Sequence, residues 1–394
     1  MSDDFIFTSE SMTAGHPDKL CDQVSDAIVD HYLSQDPNAR IVAESVVASG
    51  VMFISTHFAS KVTPDIADIA RHVVRDIGYP KEVFDADSCT IMTSFTDHTA
   101  TDYLAVDYDK IDDEYIDHLV SKHQVTVFGY ACKQTPDLMP LPIWLAHRLA
   151  IRLDARRVKK ELHYLLPDAK AQVGIEYRQG KPKRIHSITL VASQSDPAIG
   201  LEQLREDLYE QVIEPVFSKV DWQLDKQSSL SVNPEGLLIG GGPAAHSGLT
   251  GRKTGVDTYG EYARHSGAAL SGKDPLRVDR VGAYAARYVA KNVVAAGLAD
   301  ECEVVLSYAV GSAGPVSVRV RSLGTGKMEN AALAALVNEQ FDLRLGAIVR
   351  DFGLTGLPAG HSDGYYRKLA CYGQIGRTDL DVPWEKTDRA EMLP

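Results

Sequence analysis

The sequence predicts an α+β fold made of three similar helix/β-hairpin/helix units related by pseudo-threefold symmetry. Two observations predict it. A helical stretch, two alternating apolar stretches around a glycine-containing turn, and a second helical stretch recur three times along the chain. The 394 residues are 44% hydrophobic and 24% charged, a globular composition on a chain long enough for two or three domains.

In the first unit Leu20, Val24, Ala27 and Ile28 keep helical spacing between Pro17 and Leu33, and Asp36-Pro37 ends the helix. Arg40 to Phe58 is rich in Val, Ile and Phe around Ser49-Gly50, as two strands and a tight turn require, and Asp65 to Ile77 is helical. The second unit runs from the Leu141–Arg152 helix through an alternating pair around Gln179-Gly180 (Ala171 to Ser193) to the Leu201–Phe217 helix. The third joins an Ala/Val helix, Asp279 to Gly297, to a pair around Ala313-Gly314 (Cys302 to Leu323) and the Glu329–Phe341 helix. The expected domains are 3–102, 118–237 and 239–388, structurally interleaved.

Three inserts break the repeat. Thr99 to Asp117 carries seven carboxylates, Asp102, Asp107, Asp109, Asp112, Asp113, Glu114 and Asp117, and reads as a mobile acidic loop, either a solvated linker or a lid. Arg152, Arg156, Arg157, Lys159 and Lys160 read as the solvated end of a helix, with no function assigned. Gly240 to Lys273 concentrates the chemistry.

A net charge of -13 sets the chain against a nucleic-acid partner. Five scattered cysteines without a Cys-x-x-Cys pair read as reduced thiols of a cytoplasmic protein. Ser2-Asp3-Asp4 does not open an export signal, and no run of eighteen apolar residues suggests a membrane span.

Gly240-Gly241-Gly242-Pro243 leads into Ser247-Gly248-Leu249-Thr250-Gly251-Arg252-Lys253, and Ser271-Gly272-Lys273-Asp274 follows. Glycines let backbone amides approach an anion, and Arg252, Lys253 and Lys273 supply the charge a triphosphate needs, usually with a divalent metal. Gly267 to Lys273 formally fits a P-loop, but Asp274 replaces its hydroxyl residue and no strand clearly precedes it. Near the start, Gly15-His16-Pro17-Asp18-Lys19 puts His16 beside a helix N-terminus, a natural anion site, with Asp18 a candidate magnesium ligand. Val278-Asp279-Arg280 offers a second carboxylate, and Asp168-Ala169-Lys170 puts Lys170 at the end of a strand.

These segments, with Phe7-Thr8-Ser9-Glu10-Ser11, Val256-Asp257-Thr258-Tyr259-Gly260 and Pro383-Trp384-Glu385-Lys386-Thr387-Asp388, resemble the methionine adenosyltransferase (S-adenosylmethionine synthetase) family in order from Phe7 to Asp388. The resemblance implies attack of a sulfur on C5′ of ATP, release of triphosphate and its hydrolysis, in a homodimer or dimer of dimers with a shared active site. By matching positions, His16, Lys170, Arg252, Lys253 and Lys273 are the catalytic, triphosphate-gripping residues, and Asp168, Arg277 and Leu238 also belong to the ATP site. Asp18 and Asp279 would hold two Mg2+, and Glu44 a K+.

The sequence departs from the family pattern on the acceptor side. His57 stands at a family Glu, His98 at a Gln, and His123 and His246 at Asp residues. Arg277 replaces a lysine, and Leu238 an aromatic residue that stacks on adenine. Methionine is the default acceptor. The four histidines raise a non-methionine acceptor as an alternative, a histidine-bound transition metal as a further one, and a non-catalytic nucleotide-binding paralogue or regulatory subunit as a reading of another class.

Overall fold

The computed structural model describes residues 4–361 and 363–394; residue 3, where the first expected domain begins, and Ser2 lie outside them. Strands β1 (Phe5–Met12), β2 (Arg40–Ala48), β3 (Val51–Ala59), β4 (Thr90–Asp97), β5 (Val125–Cys132), β6 (Leu165–Arg178), β7 (Lys181–Gln194), β8 (Ser229–Val232), β9 (Leu238–Ile239), β10 (Gly248–Leu249), β11 (Glu301–Tyr308) and β12 (Ser317–Arg321) form three sheets. Each is built on one hairpin: β2–β3, β6–β7 or β11–β12. The α+β architecture of three similar units is therefore the observed one.

Each sheet also takes strands from another stretch of chain. β10 joins β2, β1 joins β6, and β5 joins β11, all antiparallel. This interleaving brings the N-terminal segment and the glycine-rich insert to neighbouring sheets.

The Pro17–Gln35 helix begins where His16 caps Asp18 and proline fixes the first turn. Fifteen of its nineteen residues are buried, so it is a core helix, packed against β2 and β10 of one sheet. The β2–β3 turn needs a left-handed residue, which Ser49 supplies at φ 52°. The Leu141 helix runs on to Val158 and so contains Arg152, Arg156 and Arg157. The Leu201–Leu208 helix passes through a wide turn at Tyr209–Ile213 before Glu214–Phe217. All five cysteines are free and buried, and no helix among the described residues is long and apolar enough to cross a membrane.

The acidic insert corrects the sequence reading. Instead of a mobile loop, Thr99 to Asp117 forms short helical turns that bury Tyr108, Ile111 and Ile116. Arg344 pairs with Asp113 at 2.9 Å and Asp117 at 2.8 Å, and Arg40 holds the Tyr108 hydroxyl. Apolar residues interleaved with the acids dock the segment, a pattern that its charge density conceals.

Candidate active site

One helix face organises the site. Asp18, Asp22, Asp26 and Asp30 lie four residues apart on the Pro17–Gln35 helix, so all four carboxylates share one side. Each accepts backbone amides from the chain beyond Gly240: Asp18 from Leu249 at 3.0 Å, Asp22 from Gly251 at 2.7 Å, and Asp26 from Gly272 at 2.9 Å. Asp30 takes Tyr366 and Arg367, both at 2.9 Å. The ladder was missed in the sequence, although its spacing was there to find.

Two glycines make the approach possible. A Cβ on Gly248 would lie 2.1 Å from the Pro17 carbonyl oxygen, and one on Gly272 would lie 2.0 Å from that of Ala43. Lys19 completes the seam, buried between Asp22 at 2.9 Å and Asp257 at 2.5 Å. Burial pushes the Asp257 carboxyl up to about 7 even beside the Lys19 ammonium. We expect Lys19→Met to destabilise the fold by about 3–5 kcal/mol, because two carboxylates lose their buried cation. An unchanged urea midpoint would contradict this.

The first group of predicted residues gathers at the start of this helix. Asp18 is fully buried; its Oδ1 accepts from Leu249 and from Arg252 Nε at 2.8 Å, while its Oδ2 has no partner. His16 is buried, and its Nδ1 accepts from the Asp18 amide at 3.2 Å. A neutral His16 therefore carries its proton on Nε2. Burial first, then the Lys170 and Lys253 charges, push its pKa down to about 2. With only the protein's own charges around it, His16 is a neutral N–H donor.

Lys170 is half-buried and makes no ion pair among the described residues. Its place differs from the expected strand end: β6 starts at Leu165, but an irregularity between Leu165 and Ala169 means the regular ladder resumes just before Lys170. Lys253 pairs with Glu10 at 2.9 Å, a site residue that the sequence reading quoted but gave no role. Asp168 Oδ2 accepts from the Gly242 amide and from His246 Nε2, both at 2.8 Å, and the His16 and His246 ring centroids are 5.0 Å apart. Leu238 lies on β9, 39% exposed, beside Ser193.

His16, Asp168 and His246 offer donor atoms within 4.8 Å of one another, a grouping that their separate segments hid in the sequence. Its chemistry favours an anion over a metal. His16 presents an N–H to the group, not a lone pair.

The second group is Lys273, Arg277, Asp279 and His123, with Glu44 nearby. Lys273 Nζ is 3.8 Å from Asp279 and feels the Glu44 charge, while burial draws its pKa down. Burial, then the Arg277 guanidinium, hold His123 below the usual imidazole range. Leu249 pairs with Val46 of β2, whereas Lys273 bridges Val42. The two groups thus attach four residues, roughly 13 Å, apart along one strand. No hydrogen bond or ion pair joins them among the described residues.

Within one chain the four acceptor-side histidines lie in three places. His246 belongs to the first group and His123 to the second. His57 and His98 stack at 6.0 Å on the exposed side of the β10-β2-β3-β4 sheet. Across that side the register aligns Leu249, Val46, Phe53 and Met92, which are 41%, 41%, 42% and 54% exposed. Glu44 lies two residues along β2 from Val46, and His57 four along β3 from Phe53.

Fold and site together define a class: an α+β enzyme of three interleaved hairpin units with a cation-rich, anion-accepting centre. Residues 4–100, 118–238 and 240–386 match the N-terminal, central and C-terminal domain models of S-adenosylmethionine synthetase. The chain is 45% identical over 408 residues to S-adenosylmethionine synthase of Microcystis aeruginosa, covering 100% of this chain and 98% of that one. It is 46% identical to the Synechococcus elongatus and Gloeobacter violaceus proteins of the same name, in each case over 99% of this chain and 97% of the relative. The chain belongs to the S-adenosylmethionine synthetase family and is a transferase of the methionine adenosyltransferase type.

Proposed function

We propose that the protein transfers the adenosyl group of ATP to the sulfur of L-methionine and hydrolyses the released triphosphate to phosphate and diphosphate. The observation that carries this reading is the first group: neutral His16 at a helix N-terminus within the field of Lys170 and Lys253, beside a buried carboxylate, Asp18, that is paired with Arg252 and keeps one free oxygen. Such a set stabilises charge that develops on a leaving triphosphate. His16 Nε2–H and Lys170 would hold its oxygens, Arg252 and Lys253 would add charge, and Asp168 would orient His246.

Magnesium fits the residues present. The unpartnered, fully buried Oδ2 of Asp18 is a vacant oxygen ligand, and Asp279 is the second candidate. Bound magnesium would neutralise triphosphate oxygens. Potassium has weaker support, because Glu44 contributes a single exposed carboxylate and no cage. Lys273 and Arg277 would complete the cationic wall, and Leu238 would line the adenine end without a stacking ring.

The relatives' name favours methionine over an altered acceptor, and the histidines are compatible with it. With Nε2–H given to Asp168, His246 keeps a lone pair on Nδ1, which can accept from an ammonium as a carboxylate would. His123, held below the usual imidazole range, can do the same. Protonation of His123 turns that acceptor into a repelling cation. KM for methionine should therefore stay level from about pH 8 to 7 and rise as pH falls below about 6, past the usual imidazole range. A KM that is the same at pH 5.5 and 7.5 would remove the imidazole contact.

The active unit in this reading is at least a homodimer, since one chain keeps its two groups apart and leaves the Leu249–Val46–Phe53–Met92 row exposed. Phe53→Glu should halve the sedimenting mass and abolish turnover. A monomeric wild type would refute the pairing.

Mass spectrometry of products from ATP, magnesium and potassium, with and without methionine, tests the whole reading. S-adenosylmethionine is the expected product. Triphosphate turnover without it would favour another acceptor, and no turnover would favour a non-catalytic paralogue.

A further inference from the structure

Away from both groups, a cavity of about 740 Å3 opens between the Leu141–Val158 helix, the Lys133–Pro136 turn and the Pro215–Trp222 segment. It shares no residue with the site described above. Pockets of this volume suit small organic ligands. We propose that it is a second ligand site, for an aromatic anion of the mononucleotide class.

Charge is the first argument. In a chain of net charge -13, the cavity is lined by Lys133, Arg148, Arg152 and Lys219 against one carboxylate, Asp221. Lys133 is partly neutralised by Asp300 at 2.7 Å, and Arg148 by Asp137 at 3.4 Å. Arg152 spends its Nε on the Gln211 carbonyl at 2.9 Å, and neither it nor Lys219 has a carboxylate partner among the described residues. Two uncompensated cations in one recess select an anion and repel a sulfonium product.

Aromatic surface is the second. Two of the three tryptophans, Trp144 and Trp222, line this recess. The Arg148 guanidinium lies 3.4 Å from the Trp144 ring centroid, and Asp137 fixes the indole by accepting from Nε1 at 2.5 Å. The guanidinium is thus held against the indole ring, with the Arg148 side chain 39% exposed. A flat, delocalised cation of this kind stacks on an aromatic ring. Half-buried Trp222 and the apolar Ile151, Val216 and Val220 supply the remaining walls.

The third tryptophan makes the site readable. Trp384 is fully buried and stacked on Tyr284 at 3.7 Å, so quenching of indole emission by an added ligand reports on the cavity pair. The experiment titrates the intact protein with AMP, adenosine and inorganic diphosphate while following emission. AMP should quench saturably, and adenosine and diphosphate should each bind at least about tenfold more weakly, since each lacks one half of the recognition. The Arg152→Glu/Lys219→Glu variant should weaken AMP by at least about tenfold, two reversed charges being worth 1.4 kcal/mol or more. Its ATP turnover should stay unchanged, which shows that it is folded. Absence of saturable quenching by millimolar AMP would overturn the proposal. So would quenching that survives the double charge reversal, because AMP would then be acting from the adenosyl site, or equal binding of diphosphate and AMP.

Discussion

Lys170→Ala and Asp18→Asn should each lower kcat at least about 10²-fold, the usual cost of deleting one preorganised group that meets charge developing in a transition state. Neither change should harm the fold. Lys170 has no ion partner to strand, and Asn at position 18 still presents Oδ1 to the Leu249 amide. The two act on one leaving group, so the double variant should lose much less than the product of the single losses. His16→Ala should resemble them while costing some stability, because its Nδ1 also caps the helix. The test is turnover beside a circular dichroism spectrum. Near-normal turnover in a folded Lys170→Ala protein would remove the triphosphate role assigned to that cation.

Much of the fold was legible because its signals are local. Alternation marks the hairpins, and the turn at Ser49-Gly50 falls between β2 and β3, where a left-handed residue is required. What escaped was non-local. The exchange of β1, β5 and β10 between sheets has no periodic trace, since a strand does not record its partner. The Thr99–Asp117 insert was misread because seven carboxylates outweigh three buried apolar side chains in composition, although those three fix it in place. At the site, the cations were readable from motifs, whereas the state of His16 was not. Its neutrality depends on burial and on Lys170, more than 150 residues further along the chain. The aspartate ladder was readable in principle: four carboxylates on one face of a helix that buries most of its residues can only be there to capture donors.

Co-expression of Lys170→Ala chains with Lys273→Ala chains should restore about a quarter of wild-type turnover, although each variant alone is inactive. The arithmetic follows from where the two lysines sit. Lys170 belongs to the first group and Lys273 to the second, and the two groups attach roughly 13 Å apart on β2. If each active site draws its first group from one copy and its second from the other, a mixed dimer has one site lacking both lysines and one site lacking neither. Random pairing makes about half of the dimers mixed, and each mixed dimer works at one site of two. If each site were instead complete within one chain, every site in every dimer would lack a lysine and nothing would be restored. Phe53→Glu in both partners should abolish the recovery by separating the copies, which distinguishes shared sites from reversion or contamination. An inactive mixture, with dimers verified by mass, would mean that Lys170 and Lys273 serve the same chain and that the second group must close on the first by a movement of this structure.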